Sequence, residues 1–402
     1  MTDLRAGGVS APVAPPGMER LALYAGTVVA YGDMYVTQSI LPVLSAEFGV
    51  GPARAGLTVS AVVLAIAVAS PFYGPLSDAL GRRPVMTGAT ALLAIATLAC
   101  AFAPGFGSLV ALRALQGVLV PGMTAVSVAY AGDRFGARGL PEVVAGIIAA
   151  SVMGGLLGRV LAGGIAAVGG WRAPFVVFAA LTAIAALLVS RGLAPSGAAR
   201  PAAAREAWAG MFAHLRDPRL AGAYLVGGAL FFAFIGIFTY LPFRLAAPPY
   251  ALPIGVISSV YLVYAAGAVS SRVAGRLTGR FSPRALIATG LVVEAAGMAL
   301  TLARPLAVVV LGLVVLVVGT FVAQAVAPAF VNATAETAKG GASALYLTSY
   351  YVGGTLGSAL PGLAWQAAGW AGVIGACVAA TLVAMAANAL LCGRVPSRRV
   401  PG

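Results

Sequence analysis

Four ionisable side chains stand well inside long apolar runs of this 402-residue chain: Asp33, Arg113, Arg159 and Glu294. A charge at that depth is costly in hydrocarbon and is expected to face a cavity or another charge. A carboxylate so placed can bind and release a proton; a nearby cation lowers its pKa, and burial raises it. Asp33 and Arg113 are therefore the candidate proton-coupling pair, since a substrate that separates them favours protonation of Asp33. Arg159 reaches a similar depth and could join that cluster or hold a substrate anion. Glu294 could face lipid, pair with a polar neighbour or share in coupling. A second cluster, "GPLSDALGRR" (Gly74–Arg83), sets Asp78, Arg82 and Arg83 among glycines between two apolar runs. Gly74 and Gly81 permit close approach and a tight turn. Asp78 falls at a helix end, where the dipole disfavours an acid, so a nearby arginine or another helix N-terminus must compensate. No zinc-protease motif, nucleophile elbow or phosphate-binding loop is visible, so neither an enzyme nor a metal or cofactor site is expected.

These residues need elements that cross a membrane. The chain is 60% hydrophobic and 9% charged, with a mean hydropathy of +0.97, outside the soluble range. Apolar runs of about 20 residues recur, each long enough to span a bilayer core. They are continuous instead of alternating, which excludes a β-barrel. Twelve spans are expected: Leu21–Leu44, Ala55–Leu76, Pro84–Phe102, Phe106–Gly132, Val143–Val168, Trp171–Val189, Leu220–Phe243, Gly255–Ala274, Ala285–Ala303, Leu306–Ala329, Ala342–Ala367 and Ala371–Leu391. With a cytoplasmic N-terminus, nineteen of the 25 Lys and Arg residues fall on that side, and Arg54, Arg172, Arg244 and Arg304 on the other. This positive-inside bias predicts that both termini are cytoplasmic in a bacterial-type inner membrane. The net charge of +14 thus reports topology and not a nucleic-acid partner. Cys100, Cys377 and Cys392 lack metal-ligand spacing and suggest no disulfide framework. The first 20 residues do not read as a cleavable signal.

The polar stretch Arg191–Arg219 divides the spans six and six. The expected organisation is a tail (1–20), a six-helix bundle (21–190), a linker (191–219), a second bundle (220–392) and a tail (393–402). Internal similarity supports the division. "MGGLLGRVLAGGIAAVGGW" (Met153–Trp171) aligns without a gap with "VGGTLGSALPGLAWQAAGW" (Val352–Trp370). "ILP" (Ile40–Pro42) matches "YLP" (Tyr240–Pro242), and Gly74, Leu76 and Arg83 match Gly275, Leu277 and Arg284. Repeats with an even number of spans run parallel, an arrangement of secondary transporters with sites between the halves.

The loop Gly74–Arg83 resembles the major facilitator superfamily signature G-x-x-x-D-x-x-G-R-[RK], with Gly74, Asp78, Gly81, Arg82 and Arg83 at every fixed position. "LRALQG" (Leu112–Gly117) resembles that family's fourth-span R-x-x-x-G. "GGLLGRVLAGG" (Gly154–Gly164) resembles the fifth-span glycine signature of its proton antiporters, with Arg159 in place of proline and Ala162 in place of a glycine. The resemblance implies an all-α fold of two parallel six-helix bundles, and a loop that latches their cytoplasmic ends in the outward-open state. It also places the first and fourth spans on the cavity. Gly154, Gly155, Gly158 and Gly163 suit close helix packing.

The substrate surface is expected to draw on Asp33, Tyr35, Gln38, Arg113, Arg159, Phe234, Phe238, Tyr261, Tyr264, Gln324, Asn332 and Tyr350. "YGDMYVTQSILPVL" (Tyr31–Leu44) resembles the bacterial drug-efflux and acriflavine-sensitivity-like branches. That implies a proton-coupled antiporter exporting a small organic or amphipathic compound. The alternative is a proton symporter importing a small organic anion, bound by Arg113 and Arg159. Expected partners are a small-molecule substrate, protons and the lipid bilayer, with a monomeric chain and the proton gradient as the energy source.

Overall fold

The computed structural model describes residues 16–194, 214–337 and 339–393. The expected tails up to residue 15 and from 394, and the linker between 195 and 213, lie outside the described residues. All the described regular structure is helical. The first half contains α1 (Pro16–Tyr35), α2 (Leu41–Phe48), α3 (Pro52–Ala55), α4 (Leu57–Leu80), α5 (Arg82–Ala101), α6 (Phe106–Gly169) and α7 (Arg172–Gly192). The second contains α8 (Pro218–Ala246), α9 (Ile254–Ser259), α10 (Tyr264–Leu277), α11 (Pro283–Leu300), α12 (Leu306–Thr334) and α13 (Lys339–Leu390). Local chemistry sets several starts: proline opens α3, α8 and α11, where a missing N–H costs nothing. Asp217 and Ser282 cap α8 and α11 through the N–H groups of Arg219 and Ala285.

Among the described residues, nine helices are long and apolar enough to cross a membrane. Two of them cross twice. The 64 residues of α6 would extend about 96 Å as one rod, but the helix breaks at Gly136, where φ is 60°. Helix α13 breaks likewise at Ala368 and Gly369. Helix α1, which carries Glu19, Arg20 and Asp33, supplies the twelfth crossing segment.

The first span is not the single helix expected over Leu21–Leu44. Helix α1 ends at Tyr35, residues 36–40 form turns, and α2 resumes at Leu41. The eighth span is also interrupted, by a 3-10 turn at Val260–Val263 between α9 and α10. Breaks of this kind are tolerated in a membrane where neighbouring groups satisfy the freed backbone.

Within each half, the repeat in sequence becomes a repeat in packing. A Cβ added at Gly158 would lie 2.5 Å from the Gly32 carbonyl oxygen, and one at Gly357 would lie 2.2 Å from that of Phe232. Both glycines therefore let backbones touch: α6 against α1, and α13 against α8. Outward-facing apolar side chains such as Leu64, Val68, Ile95, Ile148 and Ile184 are exposed, as a lipid-facing surface requires.

The two halves join at the end opposite the Gly74–Arg83 loop. There Gln38 Nε2 donates to Thr239 Oγ1 at 3.0 Å, and the hydroxyls of Ser60 and Ser358 lie 2.7 Å apart. Tyr261 Oη is 3.5 Å from the Gln38 carbonyl oxygen. On the loop side of this join a cavity lies between the halves, lined by residues from Ser151 to Arg159 on α6 and from Tyr346 to Tyr351 on α13.

Candidate functional site: a cation-lined cavity beside a buried acid

The cavity holds about 250 Å³ and is walled by both halves. Of the residues expected at the substrate surface, Tyr35, Arg159, Phe234, Tyr264, Gln324 and Tyr350 line it. Its described lining also includes Tyr31, Phe231, Phe321 and Tyr346, and holds no carboxylate. Much of the wall is a single aromatic assembly. Phe231 stacks on Tyr350 at 3.8 Å between centroids, and Phe234 lies 5.2 Å from Tyr264. Gln324 Nε2 donates to Tyr350 Oη at 2.6 Å, giving the wall a polar spot.

Arg159 is the charge on this wall, and it is 1% exposed. Its Nε donates to Gln38 Oε1 and its Nη1 to the Gly155 carbonyl, both at 2.6 Å. The guanidinium carbon lies 3.6 Å from the Tyr35 ring centroid and 4.8 Å from that of Tyr264. Nη2 makes no hydrogen bond. Stacking on aromatic faces stabilises a buried guanidinium but leaves that donor unsatisfied. The position occupied by proline in the resembling antiporters thus carries a cation held by π-faces, with a hydrogen-bonding valence open.

The expected Asp33–Arg113 pair takes a different form. Both side chains are fully buried, and neither lines the cavity. Arg113 bonds with the backbone of Asp33, not its carboxylate. Nη1 donates to the Asp33 carbonyl at 2.7 Å, Nη2 to that of Met34 at 2.6 Å, and Nε to that of Thr58 at 3.2 Å. The reason lies in the break after Tyr35. The last turn of a helix leaves carbonyls without partners, and a cation there also suits the dipole. Arg113 caps the interrupted first span and straps it to α4.

Asp33 itself points between α5 and α7, where Thr97 Oγ1 donates to Oδ1 at 3.0 Å and Thr182 Oγ1 to Oδ2 at 2.8 Å. The two charges are connected only indirectly. Arg113 Nη1 donates to Gln116 Oε1 and Gln116 Nε2 to Thr97 Oγ1, each at 2.7 Å. Sequence reasoning named Asp33 and Arg113 but missed Gln116, Thr97 and Thr182 as partners. The recurrence of Thr182 as Thr381, at the offset that relates Met153 to Val352, was the available signal.

Besides Asp33 and Arg113, four expected substrate residues lie outside the cavity lining. Gln38 sits behind Arg159 and reaches across the halves to Thr239. Phe238 and Tyr261 are buried in the join, where Tyr261 Oη donates to the Phe238 carbonyl at 2.8 Å. Asn332, near the C-terminal end of α12, accepts from Ser343 at 3.0 Å. Of the packing glycines, Gly154 and Gly158 meet the backbone of α1, Gly155 lies beside Tyr35 and Arg159, and Gly163 presses on Ser258 of the other half.

This architecture has many counterparts. The Major Facilitator Superfamily sequence model matches residues 23–267. The chain belongs to the major facilitator superfamily. It is 33% identical over 384 residues to the inner membrane transport protein YnfM of Escherichia coli (strain K12), covering 94% of this chain and 90% of the relative. It is 29% identical over 366 residues to the uncharacterized MFS-type transporter YybF of Bacillus subtilis (strain 168), covering 90% and 91%. The crystal structure of a D-xylose-proton symporter superposes with a TM-score of 0.76 at 17% identity, covering 94% of this chain and 98% of that one. That likeness shows the fold. The protein is a multi-pass membrane transporter of the superfamily's secondary type.

The superfamily loop signature has its own geometry here. Gly81, with φ 91°, turns α4 directly into α5, a conformation that favours glycine. Arg82 joins Asp78 at 2.7 Å and Asp133 at 2.9 Å, and also donates to Ser77 Oγ at 2.6 Å. Asp78 thus finds the neighbouring arginine that its helix-end position calls for. All these partners belong to the first half. Arg83 donates to the Ser190 carbonyl near the end of α7, and its repeat counterpart Arg284 to the Ala389 carbonyl near the end of α13. The shared arginine of the two loops is a helix-end cap.

Proposed function

We propose that this transporter works by alternating access and moves a small organic anion with an aromatic or amphipathic body, coupled to protons through Asp33. The observation that carries the substrate class is Arg159: a buried guanidinium on the cavity wall, stacked on tyrosines, with Nη2 unpartnered. With no carboxylate in the described lining, a cationic drug meets repulsion where an anion gains a charge-assisted bond of about 1.5–3 kcal/mol. The aromatic wall supplies apolar contact for the rest of the molecule.

Arg159 also offers a route from substrate to conformation. An anion that takes its Nε–H competes with Gln38 Oε1, and Gln38 is bonded to Thr239 across the join. Tyr35 under Arg159 and the Asp33 and Met34 carbonyls on Arg113 are neighbours in sequence, so a shift of the broken first span moves both sites together. On the positive-inside reading, this conformation is open to the cytoplasm.

The carboxylate-free cavity favours symport of an anion with a proton; the aromatic wall also suits export of an amphipathic compound by antiport. One measurement decides between them. Purified protein is placed in proteoliposomes enclosing a pH dye, without an imposed gradient, and aromatic carboxylates are added outside. Symport acidifies the lumen, and antiport makes it alkaline. Asp33→Asn should abolish either change while leaving carboxylate binding intact. Binding of aromatic cations in preference to carboxylates would refute the anion assignment.

A further inference from the structure

Glu294 is fully buried in the second half, away from the cavity. Its Oε1 lies 2.7 Å from Thr320 Oγ1 and its Oε2 3.3 Å from Thr381 Oγ1. Thr320 Oγ1 is also 3.0 Å from the Leu316 carbonyl oxygen. A threonine hydroxyl has one hydrogen, and a carbonyl only accepts. If Glu294 is ionised, it takes the single Thr320 hydrogen, and the Leu316 carbonyl keeps only its helical N–H partner. If Glu294 is protonated, it donates to Thr320, which donates to Leu316, and every group in the chain is satisfied.

No cation compensates a carboxylate at this place. Helix α12 carries no charged residue from Leu306 to Thr334. The second limb of α13, residues 370–390, carries none either; its titratable group beside Glu294 is the buried Cys377. On α11 the other charge is Arg284, about 15 Å away along the helix and bonded to the Ala389 carbonyl. Helices α11 and α12 also touch backbone to backbone here. A Cβ on Gly319 would lie 2.4 Å from the Glu294 nitrogen, and one on Gly297 would lie 2.2 Å from the Leu316 nitrogen. Glu294 itself has no exposed surface, so water does not solvate it. An unpaired, unsolvated carboxylate is so costly that such a group neutralises instead.

The first half presents the contrasting case. Asp33 also accepts from two threonines, and Thr182 and Thr381 are related by the repeat. There Thr97 has no second acceptor among its described bonds; it takes a hydrogen from Gln116, which is itself tied to Arg113. Both hydroxyl hydrogens can point at an ionised Asp33. The two halves thus build similar threonine-clasped acids, one with a cation within its network and one without.

We propose that Glu294 is a second proton-binding site, occupied in this conformation, and that its proton exchanges during the transport cycle. The exchange rests on the proton-coupled reading above; the occupancy does not. The test is infrared difference spectroscopy of the full-length protein in lipid at neutral pH, with Glu294→Gln and Asp33→Asn compared with the parent. A protonated-carboxyl band should disappear in Glu294→Gln, persist in Asp33→Asn, and shift in Thr320→Val, which removes the hydroxyl that receives the proton. A parent without that band, or a band indifferent to Glu294→Gln, overturns the occupancy. In proteoliposomes, Glu294→Gln should roughly halve the protons moved per substrate, while Asp33→Asn abolishes substrate-driven proton movement, because exchange at Glu294 follows the conformational change that protonation of Asp33 drives. An unchanged ratio in a Glu294→Gln protein that still binds carboxylates overturns the exchange. Failure of Asp33→Asn to alter coupling would instead count against the proposed function.

Discussion

Gly163 on α6 and Gly362 on α13 sit 199 residues apart, at matching places in the repeat. Each closes the cavity by pressing on the opposite half. A Cβ at Gly163 would lie 2.2 Å from Ser258 Cβ of the second half, and one at Gly362 would lie 2.7 Å from Ala53 Cα of the first half, besides 2.3 Å from Tyr240 Oη of its own half. Ordinary carbon contacts are about 3.5–4.0 Å, so Gly163→Ala asks the halves to part by roughly 1.5 Å at this join. Overpacking of that kind costs about 1–3 kcal/mol. The cost falls on the conformation closed at this end, because separated halves leave the methyl free. The ratio of open to closed at this end should therefore rise about 5- to 150-fold. Gly158→Ala is the control. Its Cβ would strike Gly32 within the same half, so it should lower thermal stability without shifting the ratio. Spin labels at Glu47→Cys and Val256→Cys, on either side of the join, report the separation by pulsed electron resonance in nanodiscs. The native Cys100, Cys377 and Cys392 are buried and should resist labelling. Unchanged distance distributions in both Gly163→Ala and Gly362→Ala, or the same shift in Gly158→Ala, would refute the reasoning.

Other residues give sharper single tests. Arg159→Met should weaken binding of an aromatic carboxylate by about 10- to 150-fold, the equivalent of one charge-assisted bond, measured by calorimetry in detergent; Arg159→Lys should recover only part, since lysine cannot stack on Tyr35 as a planar guanidinium does. Arg113→Met strips partners from three backbone carbonyls and should cost about 1–3 kcal/mol for each group left unsatisfied, read as a large fall in melting temperature. Asp78→Ala should slow transport while leaving carboxylate binding measurable; undiminished transport would reduce the loop to a topology signal. Arg83→Met and Arg284→Met should both lower stability, because each removes the same kind of helix-end cap.

Some of the architecture was legible before any coordinates. The apolar runs, their division by Arg191–Arg219 and the glycine repeat led directly to two bundles, because length and hydropathy alone decide what crosses a bilayer. The break in the first span was not legible. Thr37, Gln38 and Ser39 and the proline at 42 are a weak local signal inside an otherwise apolar run; Arg113, on another helix, takes the carbonyls that the end of α1 leaves free. The loop motif was readable by position, yet it did not reveal that Arg83 and Arg284 close helix ends.

The site shows the same boundary at the level of single atoms. Sequence determined that Asp33, Arg113, Arg159 and Glu294 lie deep within spans, since depth along a helix follows from counting residues. It could not determine what each one faces. At 100° per residue, a small change in helix rotation turns a side chain from cavity to interior. Tertiary structure sent the Asp33 carboxylate to Thr97 and Thr182, the Arg113 guanidinium to the end of α1, and Arg159 alone to the cavity wall. One-dimensional order fixes depth in the membrane; azimuth and partner are fixed only when the helices pack.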